Sequence, residues 1–318
     1  MPGMTVLPAE FSLIARHFKP LAGPGSLGLT DDAAVVMPPP GRELVLSADA
    51  IVQGVHFLPD DPPDLVARKL LRTNLSDLAA MGACPWAYLL TVSTPRDTPD
   101  SWYAGFAAGL ASDQAAFGLT LLGGDTTSTP GPISLSVTIL GTVAPGLAVR
   151  RSTAEDGDGL WVSGTIGDGA LGLLAATGRL ADPGGFLADR YRLPRPRLGL
   201  ACKPLVNAAM DISDGLVQDL GHLCRESGLA ADLEAGLVPL SDPAHADRLA
   251  LCLTGGDDYE LLMAVSPDRE TAFQAHAAAL RLAVTRVGRF RAGPPDVTVR
   301  SAQGDPMTLP TTGWSHFA

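Results

Sequence analysis

The stretch Leu46–Phe57, which reads LSADAIVQGVHF, places one acid and one imidazole around a short apolar run. Alternation of apolar and polar residues up to the acid, Asp49, is typical of a β-strand. Gly54 interrupts the apolar run shortly before the imidazole of His56. We expect the rest of the fold to be organised around this stretch, with Asp49 at a ligand site. His56 taken alone could be a core or surface histidine, or it could contact polar atoms of a substrate.

Further acids stand in short motifs that also contain glycine, serine or threonine. Mg²⁺ prefers hard oxygen ligands and commonly bridges carboxylates and substrate phosphates, and small neighbouring residues allow the backbone to approach phosphate closely. A single Asp at a strand end is explained by ordinary turn chemistry. The set as a whole favours several divalent metals that hold a nucleotide triphosphate; its members are Asp31, Asp32, Asp49, Asp77, Asp125, Asp211 and Asp214.

The composition limits the class of protein. A length of 318 residues favours two domains. The net charge of -11 argues against a nucleic acid or an anionic membrane as partner, since either requires a basic surface. The sequence contains no run of about 18 apolar residues, so we expect no membrane span. The four cysteines are widely separated and form no C-x-x-C motif, which favours a reducing cytoplasm.

Alternating strands and helices predict α/β layers in both halves of the chain. The composition changes near residues 145–158, so we place a domain boundary between residues 146 and 147. Residues 182–197 are expected to form a loop rich in Pro and Arg. The expected strands are 33–36, 43–48, 87–93, 119–122, 133–143, 160–163, 208–212, 231–233, 259–265, 283–289 and 297–300, and the expected helices are 9–18, 64–80, 99–117, 169–176, 215–226, 242–251 and 268–280.

Familiar nucleotide-binding motifs are excluded. Residues Gly23–Gly28 fit G-x-G-x-x-G, but a helix precedes them and a strand follows, which is the reverse of the dinucleotide-binding order. None of the lysines, Lys19, Lys69 and Lys203, stands in a P-loop motif, and the protein-kinase motifs are missing too. A nucleotide site here must therefore hold phosphate mainly through metal bridges and backbone amides.

Several residues allow both a functional and a structural interpretation. Arg150 and Arg151 could hold phosphate oxygens as a fork or lie in a solvated turn. Asp257 could face a cationic ligand or belong to a polar turn. The indole of Trp314 could stack on a flat heterocycle, although anchoring of the chain end is the favoured interpretation. Asp214 could equally cap the helix that follows it.

The motifs together resemble those of the thiamine-monophosphate kinases, within a superfamily related to aminoimidazole-ribonucleotide synthetase. The resemblance covers nearly the whole chain in order and spacing. It rests on Phe11–Ile14, Asp31–Ala34, Ser47–Asp49, Gly54–Phe57, Asn74–Ala83, Gly123–Thr127, Asp211–Leu216, Gly255–Leu261 and the ending Gly313–Phe317.

The resemblance implies direct transfer of the γ-phosphoryl group of ATP to thiamine monophosphate, with several Mg²⁺ ions and no phosphoenzyme. It also implies a homodimer in which N-terminal mixed sheets with helices pair, and a C-terminal α/β sandwich that completes the nucleotide and substrate site. Metal positions fall on Asp32, Ser47, Ala48, Asp49, Asp77, Asp125, Asp211 and Asp214, nucleotide positions on Gly124, Asp125, Arg151 and Ser213, and thiamine-phosphate positions on His56, Asp257 and Trp314. Of these, Asp49, Asp125 and Asp214 are predicted to be catalytic.

Two residues depart from the family pattern. Ala48 stands where the family often has Thr, so only its carbonyl oxygen could bind metal. Asp257 stands where Glu is common. Two other functions stay open: a related ATP-dependent synthetase of the same superfamily, and a protein that senses ATP and Mg²⁺ without turnover.

Overall fold

The structure is a computed structural model that describes residues 9–315. The chain divides into two compact units. The first contains the residues up to 74 together with 85–142, and the second contains 75–84 and the residues from 143 onward. The change of unit after residue 142 lies close to the predicted boundary at 146/147. Residues 75–84, however, group with the later part of the chain.

The first unit contains a four-stranded sheet with strand order β1-β4-β2-β3, in which β2 and β3 run parallel. Helix α3 begins after Pro99 and ends where Gly118 adopts a left-handed conformation, as the sequence predicts. The elements are α1 (Ala9–Leu13), β1 (Glu43–Val52), α2 (Pro63–Ala80), β2 (Cys84–Thr94), α3 (Asp100–Phe117), β3 (Leu121–Ser128) and β4 (Ser134–Val143), with a π-helical turn over Ile14–Phe18 after α1.

Helices α2 and α3 are joined by an ion cluster around one buried carboxylate. Asp113 of α3 is fully buried and accepts hydrogen bonds from Arg68 Nε at 3.0 Å and Arg72 Nε at 2.6 Å, both on α2. A buried carboxylate is costly unless it is paired and hydrogen-bonded. The two guanidinium groups meet that requirement and fix one helix against the other.

The sheet of the first unit has one covered and one open face. Leu135, Val137 and Ile139 alternate along β4 as fully buried residues. On β1, by contrast, Leu44 and Leu46 are 37% and 60% exposed. Apolar side chains therefore remain accessible on this sheet in the single chain.

The second unit contains a six-stranded mixed sheet with order β10-β7-β9-β5-β8-β6, antiparallel except for the β10–β7 pair. The predicted α/β class is confirmed. The elements are β5 (Gly159–Ser163), α4 (Asp168–Ala176), α5 (Phe186–Arg192), β6 (Ala208–Ile212), α6 (Leu216–Ser227), β7 (Ala230–Glu234), α7 (Leu249–Thr254), β8 (Glu260–Val265), α8 (Glu270–Ala279), β9 (Val284–Arg291) and β10 (Asp296–Arg300).

Both faces of this sheet are buried, because successive strand residues point to opposite sides. On β5, Leu160 packs in a cluster with Leu220 of α6, whereas Trp161 packs in a second cluster with Phe273 of α8. The second cluster also contains Ala79 and Ala80 from the last turn of α2. None of the helices within residues 9–315 is both long and apolar enough to cross a membrane.

Three predicted elements are wrong. Residues 33–36 form no strand, and Val35 is 70% exposed. The Val35 N–H donates to the Gly25 carbonyl oxygen, and no ladder with another strand follows within residues 9–315. Residues 182–197 are not a continuous loop, since α5 lies within them. The predicted strand 119–122 was expected to end before Gly123, but β3 continues through the glycines to Ser128.

Candidate active site

Asp49 is held by its backbone on both sides. Its N–H donates to Oδ1 of the buried Asn74 at 3.1 Å, and its carbonyl oxygen accepts from Ser136 Oγ at 3.1 Å. Helix α2 and strand β4 thus fix the position of the Asp49 main chain. Ser47 and Ala48 precede it on β1, and Asp77 lies on α2 three residues after Asn74.

The turn after β1 fixes the His56 ring. Gly54 adopts a left-handed conformation with φ of 81°, and the N–H of Val52 donates to His56 Nδ1 at 3.0 Å. An Nδ1 that accepts is unprotonated, so the neutral ring carries its proton on Nε2. The buried Lys69 donates through Nζ to the His56 carbonyl oxygen at 2.8 Å. The sequence did not reveal this role of Lys69.

Gly124 and Asp125 lie in the middle of β3 rather than after it. Gly124 pairs with Leu90 on β2, and a Cβ at Gly124 would lie 1.7 Å from the Leu90 carbonyl oxygen. Only glycine fits this approach at a φ of 155°. The strand therefore continues, and it presents Asp125 as an exposed side chain.

Asp49 and Asp125 lie on opposite edges of the first sheet, because β1 and β3 are its outer strands. Three steps between strands of about 4.8 Å separate them by roughly 14 Å along the sheet. A Mg²⁺ ion binds oxygen at about 2.1 Å, so one ion cannot bind both side chains of the same chain. Asp32 is exposed in a bend before β1.

In the second unit, Ser213 and Asp214 form the turn between β6 and α6. The carboxylate of Asp219, in the first turn of α6, accepts from the backbone N–H groups of both residues at 3.0 Å. The pKa of Asp219 is raised to about 7, chiefly by burial and also by the neighbouring Asp214 charge, although the backbone N–H donors act to lower it. Asp214 does not cap the helix: Gly215 is the N-cap, without a side-chain bond. Asp211 is buried within β6.

Asp257 lies directly beside this turn. Its backbone N–H donates to the Ser213 carbonyl oxygen at 2.9 Å, and a Cβ at Gly256 would lie 2.3 Å from the same oxygen. Both Asp257 and Tyr259 have positive φ, 72° and 50°. Such left-handed non-glycine residues each cost roughly 1–3 kcal/mol and are found where the surroundings hold them.

Trp314 reaches the same turn through its main chain. Its N–H donates to the Asp214 carbonyl oxygen at 2.9 Å, and Gln218 Nε2 donates to the Trp314 carbonyl oxygen at 2.6 Å. The indole itself is 53% exposed. The main chain is therefore anchored, as the favoured interpretation expects, and the role of the accessible ring in stacking stays a prediction. His316 and Phe317 lie outside the described residues.

Arg151 is tied to the other end of α6. Its carbonyl oxygen accepts from Ser227 Oγ at 2.7 Å, whereas Ser213 and Asp214 precede the first turn. Its charge still reaches the middle of the helix: burial lowers the pKa of His222, and the Arg225 and Arg151 guanidinium groups lower it further. The second unit thus brings Ser213, Asp214, Asp257 and Trp314 together, with Arg151 further along.

The donors suit magnesium, since nearly all are carboxylate, hydroxyl or carbonyl oxygens. Within residues 9–315 no group of three or more His, Cys, Asp and Glu side chains is spaced to hold a metal ion. Mg²⁺ is usually held by one or two carboxylates together with substrate phosphates and water. The assignment of ions to the predicted residues stays a prediction.

Comparison with known proteins identifies the family. The protein-family model for the AIR synthase related protein, N-terminal domain, matches residues 30–143. The family model for the AIR synthase related protein, C-terminal domain, matches residues 155–300. A thiamine-monophosphate kinase of Caulobacter vibrioides is 44% identical over 323 residues, covering 97% of this chain and 91% of that protein. The chain belongs to the thiamine-monophosphate kinase family. The resemblance drawn from its motifs is confirmed.

Solved structures of thiamine-monophosphate kinases share the fold. That of Stenotrophomonas maltophilia K279a has a TM-score of 0.81 and 38% identity, covering 94% of this chain and 98% of the other. AaThiL complexed with AMPPCP and TMP has a TM-score of 0.76 and 30% identity, covering 90% of this chain and 91% of the other.

Proposed function

We propose that this chain is an ATP-dependent kinase that phosphorylates thiamine monophosphate and forms thiamine diphosphate and ADP. The observation that carries the proposal is the 44% identity to a thiamine-monophosphate kinase over 97% of the chain. The AaThiL complex supports ATP and thiamine monophosphate as the substrate pair. AMPPCP is an ATP analogue, and TMP in this complex stands for thiamine monophosphate, the acceptor of the phosphoryl group.

The reaction needs no phosphoenzyme. An oxygen of the thiamine phosphate forms a bond to the γ-phosphorus, and the bond from that phosphorus to the oxygen of ADP breaks. A phosphate monoester has a second pKa of about 6, so the acceptor is already anionic at neutral pH. No side chain has to remove a proton before attack. The protein's task is to position the groups and to neutralise their charge.

The assignment of roles follows the predicted residues. We propose that Gly124, Asp125, Arg151 and Ser213 bind the nucleotide, and that His56, Asp257 and Trp314 bind thiamine monophosphate. When bound, Mg²⁺ would neutralise phosphate charge. His56 would act as an Nε2–H donor, and Asp257 would offer its carboxylate to the cationic thiazolium ring. The proposed metal ligands are Asp32, Ser47, Ala48, Asp49, Asp77, Asp125, Asp211 and Asp214.

We also propose a homodimer formed by pairing of the N-terminal sheets. Leu46 is 60% exposed and Leu89 is 40% exposed, and apolar side chains of this kind favour a partner. Asp49 and Asp125 lie on opposite edges of one sheet. If β1 of one copy meets β3 of a second copy, the two carboxylates come to one place. Residues 1–146 would then bind ATP and metal and form the dimer, and residues 147–318 would complete the site.

The proposed location is the cytoplasm. The four cysteines, Cys84, Cys202, Cys224 and Cys252, are all free thiols, which suits a reducing compartment.

The test is direct. Purified protein is incubated with ATP, Mg²⁺ and thiamine monophosphate, and thiamine diphosphate and ADP are quantified by chromatography. We expect equal amounts of both products, and no ADP when thiamine monophosphate is omitted. ATP consumption only with a different acceptor would indicate a related synthetase. ATP binding without any product would indicate a sensor.

A further inference from the structure

The segment Asp257–Glu260 directs its side chains to different environments. Asp258 is 1% exposed and Glu260 is fully buried, whereas Asp257 keeps an intermediate exposure. Asp257 and Tyr259 have the left-handed backbone conformation described above. Since such residues tend to relax, something in the surrounding structure must hold this segment.

Asp258 supplies the first anchor. Its Oδ2 accepts from the Gly167 N–H at 2.7 Å and its Oδ1 accepts from the Gly169 N–H at 2.9 Å. Both side-chain oxygens of Asp258 are thus bound at the start of helix α4. The approach is close, since a Cβ at Gly169 would lie 2.3 Å from the carbonyl carbon of Asp257. The backbone of Asp257 is therefore pressed against the helix start that Asp258 holds.

Glu260 supplies the second anchor. It accepts from Ser163 Oγ at 2.6 Å, from Arg190 Nη2 at 2.9 Å and from Arg197 Nε at 2.6 Å. Arg190 Nη2 also donates to the carbonyl oxygen of Asp258 at 3.1 Å. The segment is thereby fixed at Asp258 and Glu260, and the Asp257 N–H is held by the Ser213 carbonyl oxygen, which leaves Asp257 and Tyr259 little freedom.

Tyr259 acts on Asp257 itself. Its hydroxyl donates to Asp257 Oδ1 at 3.2 Å, although only one residue separates the two in the chain. The left-handed conformation of both residues makes this short-range bond possible. The hydroxyl thus restrains the carboxylate as well as the main chain.

We propose that Asp258 and Tyr259 are positioning residues that hold the Asp257 carboxylate in one orientation for the cationic part of the acceptor substrate. Asp258 fixes the backbone of Asp257, and Tyr259 fixes its side chain. Neither residue has to touch the substrate. The inference rests on the proposed function, because it gives Asp257 the role of a substrate ligand.

The first test is Tyr259→Phe, which removes one hydroxyl and keeps the ring. A hydrogen bond to a carboxylate affects affinity enough that we expect KM for thiamine monophosphate to rise about tenfold. KM for ATP should stay within about twofold, as only one substrate is affected. In an Asp257→Asn background, the same change should have little further effect, because the group through which it acts is gone. Additive effects in this double-mutant cycle would overturn the proposal.

The second test is Asp258→Asn, which leaves one backbone N–H without an acceptor. KM for thiamine monophosphate should again rise about tenfold while KM for ATP stays nearly constant. Asp113→Asn is the matched control, since it disrupts another buried carboxylate, in the α2–α3 ion cluster. It should lower Tm without changing the ratio of the two KM values. If Asp258→Asn behaves like this control, its role is structural only and the proposal is wrong.

The outcomes separate the two proposals. A wild-type protein that forms no thiamine diphosphate contradicts the proposed function, and the positioning role with it. A wild-type protein that forms it, together with an unchanged KM in Tyr259→Phe, contradicts the positioning role alone. If Asp258→Asn fails to fold, the double-mutant cycle of Tyr259→Phe and Asp257→Asn still tests whether the Asp257 carboxylate is held for the substrate.

Discussion

Mixing two inactive variants, Asp49→Asn and Asp125→Asn, tests whether carboxylates from two copies form one site. Within one chain these residues are separated by two intervening strands, or roughly 14 Å along the sheet. If they meet only across a dimer of two copies, a mixed dimer has one doubly mutated site and one intact site. Random exchange makes half of the dimers mixed, so about a quarter of wild-type activity should return.

The assay measures thiamine diphosphate formation after the two variants, carrying different affinity tags, are co-expressed. Purification over both tags confirms that mixed dimers exist, and this pure fraction should reach about half of wild-type activity. Asp49→Asn mixed with Asp49→Ala is the control, because every site then lacks the same carboxylate. Verified mixed dimers without recovered activity, or a wild-type protein that sediments as a monomer, would refute the reasoning.

Four variants test the fold and its electrostatics. Gly124→Ala places a Cβ 1.7 Å from a carbonyl oxygen and should destabilise the protein by roughly 3 kcal/mol or more, measured by denaturant unfolding. Gly118→Ala, at a left-handed position with open space, should cost only about 1 kcal/mol; equal losses would contradict the clash. Asp113→Asn leaves two partly exposed guanidinium groups without their carboxylate and should cost roughly 1–3 kcal/mol; an unchanged Tm would disprove this. Burial raises the pKa of Asp258 from 3.8 to about 8, against the opposing Gly169 and Gly167 amides. The folded protein then keeps a proton that the unfolded chain releases, so unfolding free energy should fall as pH rises across this range. Asp258→Asn should show a shallower fall, and parallel pH profiles would contradict the raised pKa.

The sequence predicted an element correctly where its local conformational preference and its packing in the fold favour the same structure. Strand β6 has the predicted bounds, because its short apolar run is buried throughout. Helix α3 ends at the predicted Gly118, because glycine readily adopts the left-handed conformation that ends a helix. Residues 33–36 have the composition of a strand but no neighbouring strand to pair with. Strand pairing depends on distant residues, which local composition does not contain.

The candidate site was predictable by residue type and not by arrangement. The motifs indicated Ser213, Asp214 and Asp257, which the fold brings together through backbone hydrogen bonds. Asp219 and Asp258 were missed, because buried acids that accept backbone N–H groups have no distinct sequence pattern. Their positions in the sequence could have indicated them: Asp219 lies one turn into α6, and Asp258 lies inside the Gly255–Leu261 motif.

The last turn of α2 has a consequence for synthesis of the chain. Ala79 and Ala80 pack in a cluster with Trp161 and Phe273, the latter translated roughly 200 residues later. At about 5–20 residues per second, the ribosome needs on the order of 10–40 s to supply that partner. During this interval the helix end lacks the later residues that bury Ala79 and Ala80 in the folded chain.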